Sequence, residues 1–421
     1  MPDISELLRE ELKRVTDQVQ PEQLRPLRVP VRPPRRGLRL VQVAAGAAVL
    51  AIAVAALAVG TAAGHRPAGT ATRSHVTIPR YYVAISQNVS SLQAVVRDSA
   101  NGRITGAVTV PSADRPGVAA VTAAADGRSF IVGAYGGGPA GSSSYRLFLL
   151  RVSASGRPAP LSELLDIPLP VQGPSVEGIA LSPDGASLAI SLQYTEPSMD
   201  FIPYGGIEVV DLATRATRTW TAPHDDYFYW PGPPSWDGDT MIAFTWWHSI
   251  GPQGFIDASS TQVRELDTAT AGSNLMDSLV IVPAGAVRGD IESALITPDG
   301  RDIIASTYRD SAASGGQRGT VVAQIVELTP GTGRLIRVLR TQAVRYAEPN
   351  QPATLNASSQ LLALDADGEN ALVQCFGFGR LAVGPVGTGT FTALPAGQAG
   401  TGTFTALPAG QVETSQVAAA W

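Results

Sequence analysis

Ala180-Leu181-Ser182-Pro183-Asp184-Gly185-Ala186-Ser187-Leu188-Ala189-Ile190 reads as an apolar strand, a tight turn and a second strand of alternating character. Asp-Gly suits such a turn because glycine adopts φ > 0 at little steric cost and the aspartate side chain bonds its own backbone. Relatives of the turn stand at Ala125-Asp126-Gly127, Trp236-Asp237-Gly238, Thr297-Pro298-Asp299-Gly300 and Ala366-Asp367-Gly368. Their glycines recur about 50 to 70 residues apart, a spacing that marks stacked supersecondary units, since each alone would leave its apolar face in water.

The clearest unit has strands at 176–181, 187–192, 207–211 and 217–221, with a second turn at 213–215. That second turn also repeats, as Asn101-Gly102-Arg103, Ala154-Ser155-Gly156, Thr268-Ala269 and Gly331-Thr332-Gly333. Four strands per unit is the pattern of a β-propeller blade. The five Asp-Gly turns account for five units. Before them, 81–87, 92–98 and 104–110 supply three strands without an inner partner, and 412–421 supplies one strand without followers. Placing that last strand innermost in the first unit makes a sixth and closes the ring with no free edge. Residues 80–421 then divide into about 57 per unit, and Trp421 belongs to the closure. The expected fold is all-β, a six-bladed β-propeller closed by the C-terminal strand.

The motif Ala180-Leu181-Ser182-Pro183-Asp184-Gly185, with Ile207-Glu208-Val209-Val210-Asp211-Leu212-Ala213-Thr214, resembles the blade consensus of WD-repeat-like and TolB-like propellers. The whole chain resembles membrane-anchored actinobacterial members of that group, a source that the single lysine, Lys13, among 31 basic residues also fits. The resemblance speaks for the fold and is nearly silent on function. The Gly-His and Trp-Asp pairs of true WD repeats are missing from their usual blade positions, and Trp236-Asp237 precedes a turn glycine instead of ending a strand. The WD-repeat scaffold role is therefore not carried over.

Upstream of the array, residues 40–64 carry no charged side chain. At about 1.5 Å per residue a helix of that length spans a hydrocarbon core of about 30 Å. Arg25, Arg28, Arg32, Arg35, Arg36 and Arg39 precede it with no acidic residue among them, so the positive-inside bias places the N-terminus in the cytoplasm and the array outside. Its length, and the almost forty residues before it, favour a plasma-membrane anchor over a cleaved signal peptide. Ile4, Leu7, Leu8, Leu12, Val15 and Val19 sit at helical spacing, which predicts an amphipathic cytoplasmic helix over 3–20. Its apolar stripe wants a partner, and a Pro-rich basic linker follows to residue 39. Short helix, basic linker, single span and external domain resemble membrane-bound anti-sigma factors, without the cysteines of the zinc-containing class. Residues 65–79 read as a tether and 80–421 as the extracytoplasmic propeller.

Charged residues are 16% of the chain and net charge is −5, which argues against nucleic acid as a partner. Cys375, the sole cysteine, excludes an internal disulfide and any multi-cysteine metal site. Five of the six tryptophans fall between 220 and 247, with Tyr227, Phe228, Tyr229, His224, Asp225, Asp226 and His248 close by. Rings beside carboxylates suit sugar or peptide ligands, although propeller cores are also lined by aromatics. Trp230, Trp246, Tyr227 and Asp225 are the ligand-binding candidates. No nucleophile elbow, phosphate loop or convincing metal set occurs, so catalytic, cofactor and metal residues are all expected to be none. The 387–398 segment recurs unchanged at 400–411, and one copy is expected to serve as the outer strand of the last blade.

The leading expectation is a non-enzymatic, single-pass membrane protein whose external propeller binds a protein, peptide or envelope polymer. One alternative is an anti-sigma-like signalling protein with an external sensor and a cytoplasmic regulator-binding helix. Another is a propeller hydrolase or lyase.

Overall fold

The structure is a computed structural model that describes residues 78–88, 91–111, 120–137, 143–168, 175–194, 204–223, 227–250, 261–311, 319–346, 360–375, 380–389, 391–393 and 419–421. The expected cytoplasmic helix at 3–20, the expected span at 40–64, nearly all of the expected tether at 65–79 and the second tandem copy at 400–411 lie outside those residues. Among the described residues no helix is long and apolar enough to cross a membrane.

Strands follow one another as antiparallel meanders. The first three are β1 (Tyr81–Asn88), β2 (Ser91–Asp98) and β3 (Ile104–Val110). Next come β4 (Ala120–Ala123), β5 (Ser129–Gly137), β6 (Ser143–Arg151) and β7 (Ser162–Pro168), and then β8 (Ser175–Leu181), β9 (Ser187–Tyr194), β10 (Tyr204–Asp211) and β11 (Thr217–Thr221). They are succeeded by β12 (Tyr227–Asp237), β13 (Met241–Ile250), β14 (Gln262–Asp267) and β15 (Leu279–Val282). The remainder is β16 (Asp290–Ile296), β17 (Ile303–Ser311), β18 (Gly319–Leu328), β19 (Leu335–Tyr346), β20 (Gln360–Leu364), β21 (Asn370–Cys375), β22 (Arg380–Pro385), β23 (Thr392–Ala393) and β24 (Ala419–Ala420). One sheet has the order β24-β1-β2-β3, so the last strand pairs with the first. Strands β8 to β15 share one sheet because β10 and β12 meet in a single parallel pair, Tyr204 with Tyr229.

The innermost strands touch in sequence: β4 beside β8, β8 beside β12, then β16, β20 and β24, with β24 beside β4 again. This radial array of meanders is a β-propeller. Its core lies between neighbouring sheets, and strand pleating explains how. Tyr81, Val83 and Ile85 pack with Phe130 and Leu150 of the next sheet, while Tyr82 and Ala84 pack with Leu372 and Val383 of the preceding one and with Trp421 beside their own closing strand. Alternate side chains of one strand thus feed two different cores, which is why the middle strands read as nearly continuous apolar runs.

The turns behave as their residues dictate. Gly127, Gly185, Gly238, Gly300 and Gly368 have φ between 59° and 72°. In the quoted turn the Gly185 N–H donates to the Ser182 carbonyl at 2.8 Å, while Asp184 Oδ1 accepts from the Ser182 hydroxyl at 2.6 Å and from the Ala186 N–H at 2.9 Å. The aspartate is committed to backbone geometry. In the second turn, Gly102, Gly333 and Gly389 hold φ near 65° where Arg215 stands at 62°. A side-chain residue there costs about 1 kcal/mol. Arg215→Gly is expected to raise the chemical-unfolding free energy by up to about 1 kcal/mol, less whatever the more flexible unfolded chain takes back.

An innermost strand offers one unpaired backbone edge, and buried backbone groups require partners. Neighbouring strands supply them laterally. Thr122 Oγ1 accepts from the Leu181 N–H at 3.2 Å, Trp236 Nε1 donates to the Ala180 carbonyl at 2.9 Å, and Ser235 Oγ accepts from the Ile296 N–H at 3.0 Å. Ser235→Ala strands that Ile296 N–H and is expected to cost about 1–3 kcal/mol in urea unfolding.

Of the expected closing strand at 412–421, residues 412–418 lie outside the described residues, while Ala419–Ala420 form strand and pair with Ala84 and Val83. Among the described residues of the first tandem copy, Thr392–Ala393 form the outer strand of the last sheet, paired with Val383 and Ala382 of β22.

Candidate functional site

The aromatic segment folds as β12 and β13, which pair from Tyr227 with Ile250 to Asp237 with Met241. Pleating sorts the rings. Trp220, Trp236 and Trp246 are at most 5% exposed and belong to one core. Trp246 stacks on Tyr229 at 5.4 Å, meets Phe244 edge-on at 6.1 Å and has the Arg264 guanidinium 5.5 Å from its ring centre. The structure therefore places Trp246 inside, where it supports its neighbours. Trp230 and Trp247, one register pair, are half-buried and meet edge-to-face at 5.2 Å. His248 also stacks on Tyr229, at 5.1 Å. Tyr227 begins β12, but its side chain lies outside the described residues, as do Asp225, Asp226 and His224.

Beside Trp230, on the adjacent inner strand, stands Glu177. A β-bulge between Val176 and Gly178 lifts it out of the ladder with β9, and bulges commonly re-aim a side chain in this way. Burial raises the Glu177 pKa above its ordinary value, while bonds from the Ser175 hydroxyl and the Trp230 indole pull it back. Ser175 Oγ lies 2.7 Å from Glu177 Oε1 and 2.8 Å from Gln193 Oε1. One hydroxyl proton cannot serve both acceptors, so with Ser175 donating to Glu177 the Gln193 amide is turned to donate its own N–H to Ser175 Oγ. Tyr135 bonds the backbone of Val176, and burial raises its phenol as well. Glu292 occupies the matching bulge of β16, between Ile291 and Ser293. Glu177, Ser175 and Gln193 were not among the candidates read from sequence, although a lone acid inside the apolar 175–181 strand was a usable signal.

Close packing holds the two inner strands together. A Cβ on Gly178 would lie 2.8 Å from Pro233 Cβ, and one on Gly232 would lie 2.8 Å from the Trp247 ring. At the far end of the same strands, a cavity of about 180 Å³ lies at the ring centre, lined among others by Thr122, Ser182, Trp236, Asp365 and Trp421. Among the described residues no group of three or more His, Cys, Asp and Glu side chains is placed to hold a metal ion.

Several other carboxyls are raised by burial, namely Glu208, Asp237, Glu265, Asp302 and Asp365. Asp237 and Glu265 also hydrogen-bond one another. A carboxyl raised in the folded state binds its proton more tightly there, so its contribution is complete below the unfolded value of about 4 and is lost as pH rises through the folded value. Asp211 and Asp267 are lowered by turn hydrogen bonds, but they face solvent and act only in stronger acid. Calorimetry should find a higher Tm at about pH 5 than at about pH 7.5, a reversal of which would contradict these assignments.

No protein-family model and no curated protein matches this chain in sequence. Solved structures similar to it include hydrazine synthase of Kuenenia stuttgartiensis, with TM-score 0.38 and 16% identity over 75% of this chain and 80% of that one. The tricorn protease gives TM-score 0.41 and 12% identity over 75% of this chain, which spans 30% of that protein. The Cps50 (Swd1) beta-propeller domain of Myceliophteria thermophila gives 0.37 and 12%, over 74% of this chain and 84% of that one. With such scores the likenesses assign no chemistry to this chain. Enzymes among them nevertheless correct the expectation of a non-enzymatic protein, because similar chains perform catalysis and the fold gives no ground for excluding it.

Proposed function

We propose that the chain is a membrane-anchored, six-bladed propeller displayed outside the cell, which takes its ligand at the channel end where Glu177, Trp230 and Trp247 stand. The observation that carries this reading is the pairing of a bulged, half-buried carboxyl on β8 with a half-buried indole on β12. An acid beside aromatic faces suits a saccharide or peptide, whose apolar face stacks while its hydroxyl or amide groups bond. Anchoring is supported by the uncharged 40–64 stretch and the arginines before it. The blade count is supported by the inner-strand succession and by the β24–β1 pair.

Titration of the full-length protein with tri-N-acetylchitotriose and with trialanine, read by tryptophan fluorescence, tests the site. Saturable binding of either, weakened about tenfold by Trp230→Ala, is the expected result. Binding of neither probe, or binding indifferent to Trp230→Ala, would sink it. A second reading rests on Glu177 itself, since a carboxyl held above its ordinary range is a proton donor suited to hydrolase or lyase chemistry. Turnover of a bound probe that Glu177→Gln abolishes without loss of binding would favour it. A signalling role through helix 3–20 is tested separately by capture of a specific cytoplasmic protein on residues 1–38.

A further inference from the structure

At the opposite end of the inner strands from Glu177, the ring closure differs from every other unit. Elsewhere an Asp-Gly turn joins the innermost strand to the next, as Ser182–Gly185 does between β8 and β9. At the closure, β24 and β1 pair without a turn between them. Beside this junction lies a second cavity, of about 300 Å³, with Arg80, Tyr81, Arg128, Asp367 and Trp421 in its wall. Trp421, Asp365 and Ala366 also line the central cavity of about 180 Å³, so the two spaces share a wall.

Trp421 is 3% exposed, and its Nε1–H is buried without any hydrogen-bond partner. An orphaned buried donor destabilises the fold, a cost that an acceptor arriving with a ligand removes. Arg80 and Arg128 stand exposed at the rim of the notch, and the Arg80 guanidinium lies 5.1 Å from the Tyr81 ring centre. The acids of the notch are differently engaged. Asp126 Oδ1 accepts from the Arg128 and Ser129 N–H groups, and its Oδ2 accepts from the Ser129 hydroxyl. Asp365 is buried, bonded to Asn370 and raised toward its neutral form. Asp367 alone among these acids is exposed and uncommitted to a turn bond, and it shares the cavity wall with the two arginines.

We propose that the notch at the ring closure binds an aliphatic carboxylate. The carboxylate lies at the rim arginines with its apolar body against the Tyr81 and Trp421 rings of the notch, and the Trp421 N–H, closed off in the free protein, turns to meet it. Charge-assisted bonds of this kind are roughly twice as strong as neutral ones, so the amide of the same acid is discriminated. The site is separate from Glu177 and stands or falls without it.

The test is calorimetric titration of the full-length protein with 4-methylpentanoate and with N-acetyl-Ala-Leu, each against its amide, with the indole ¹⁵N resonances followed in parallel. Expected is saturable binding of at least one acid, about tenfold or more tighter than its amide, with a shift of the resonance that Trp421→Phe removes. Trp421→Phe keeps the ring but loses the N–H, and it should weaken binding at least fivefold. Arg128→Gln, at an exposed position that does not threaten the fold, should do the same. Equal affinity for acid and amide, binding unmoved by Arg128→Gln, or no binding of either acid would overturn the proposal.

Discussion

Trp421→Ala is expected to lower the unfolding free energy by about 3–5 kcal/mol, the range for removing a fully buried tryptophan side chain. The size follows from how the ring closes. Among the described residues β24 contributes two residues to its ladder, and backbone bonds over so short a stretch do not hold a sheet together. Packing must supply the rest, and Trp421 joins Tyr82, Leu372, Leu381 and Val383 in the core between the first and last sheets. Total stabilities of about 5–15 kcal/mol mean that this one truncation removes a large share. A frayed terminal ring would cost within about 0.5 kcal/mol, so urea unfolding of the variant separates a closed ring from an open one.

Gly205→Ala is the second large effect, expected at about 3 kcal/mol with disturbance of the aromatic site. A Cβ at Gly205 would lie 1.9 Å from Pro231 Cδ and 3.0 Å from the Tyr229 carbonyl. Neither neighbour yields easily: the proline ring is tied to its backbone, and Gly205 is itself held by the Ala222 N–H at 2.8 Å from its carbonyl. Strands β10 and β12 must therefore separate, and with them Tyr229, on which both Trp246 and His248 stack. Near-ultraviolet circular dichroism should change along with the midpoint. Gly387→Ala, where nothing lies within 4 Å of the added atom, should change neither and serves as the control.

Much of the fold was legible because it is written locally and repeatedly. An Asp-Gly turn needs φ > 0 at one residue wherever it occurs, and the five glycines in question all adopt it. The closing role of Trp421 was legible by counting, since three leading strands lacked an inner partner. What local rules could not reveal were matches between distant segments. The merging of β10 with β12 depends on Gly205 meeting Pro231, and neither residue announces the other. Of the ring-bearing candidates, Trp246 went to the core and Trp230 stayed half-exposed, a choice fixed by strand register. Glu177 became visible only once the bulge at Val176 and the neighbouring Trp230 were in place.

Hydrogen exchange at the amides of residues 419–421 tests the closed ring most directly. Protection comparable to that of β1, Tyr81–Asn88, is the predicted result, because the two strands open together if one core seals them. Exchange of residues 419–421 at the rate of an unstructured terminus, with β1 still protected, would contradict the closure and the six-bladed count that depends on it.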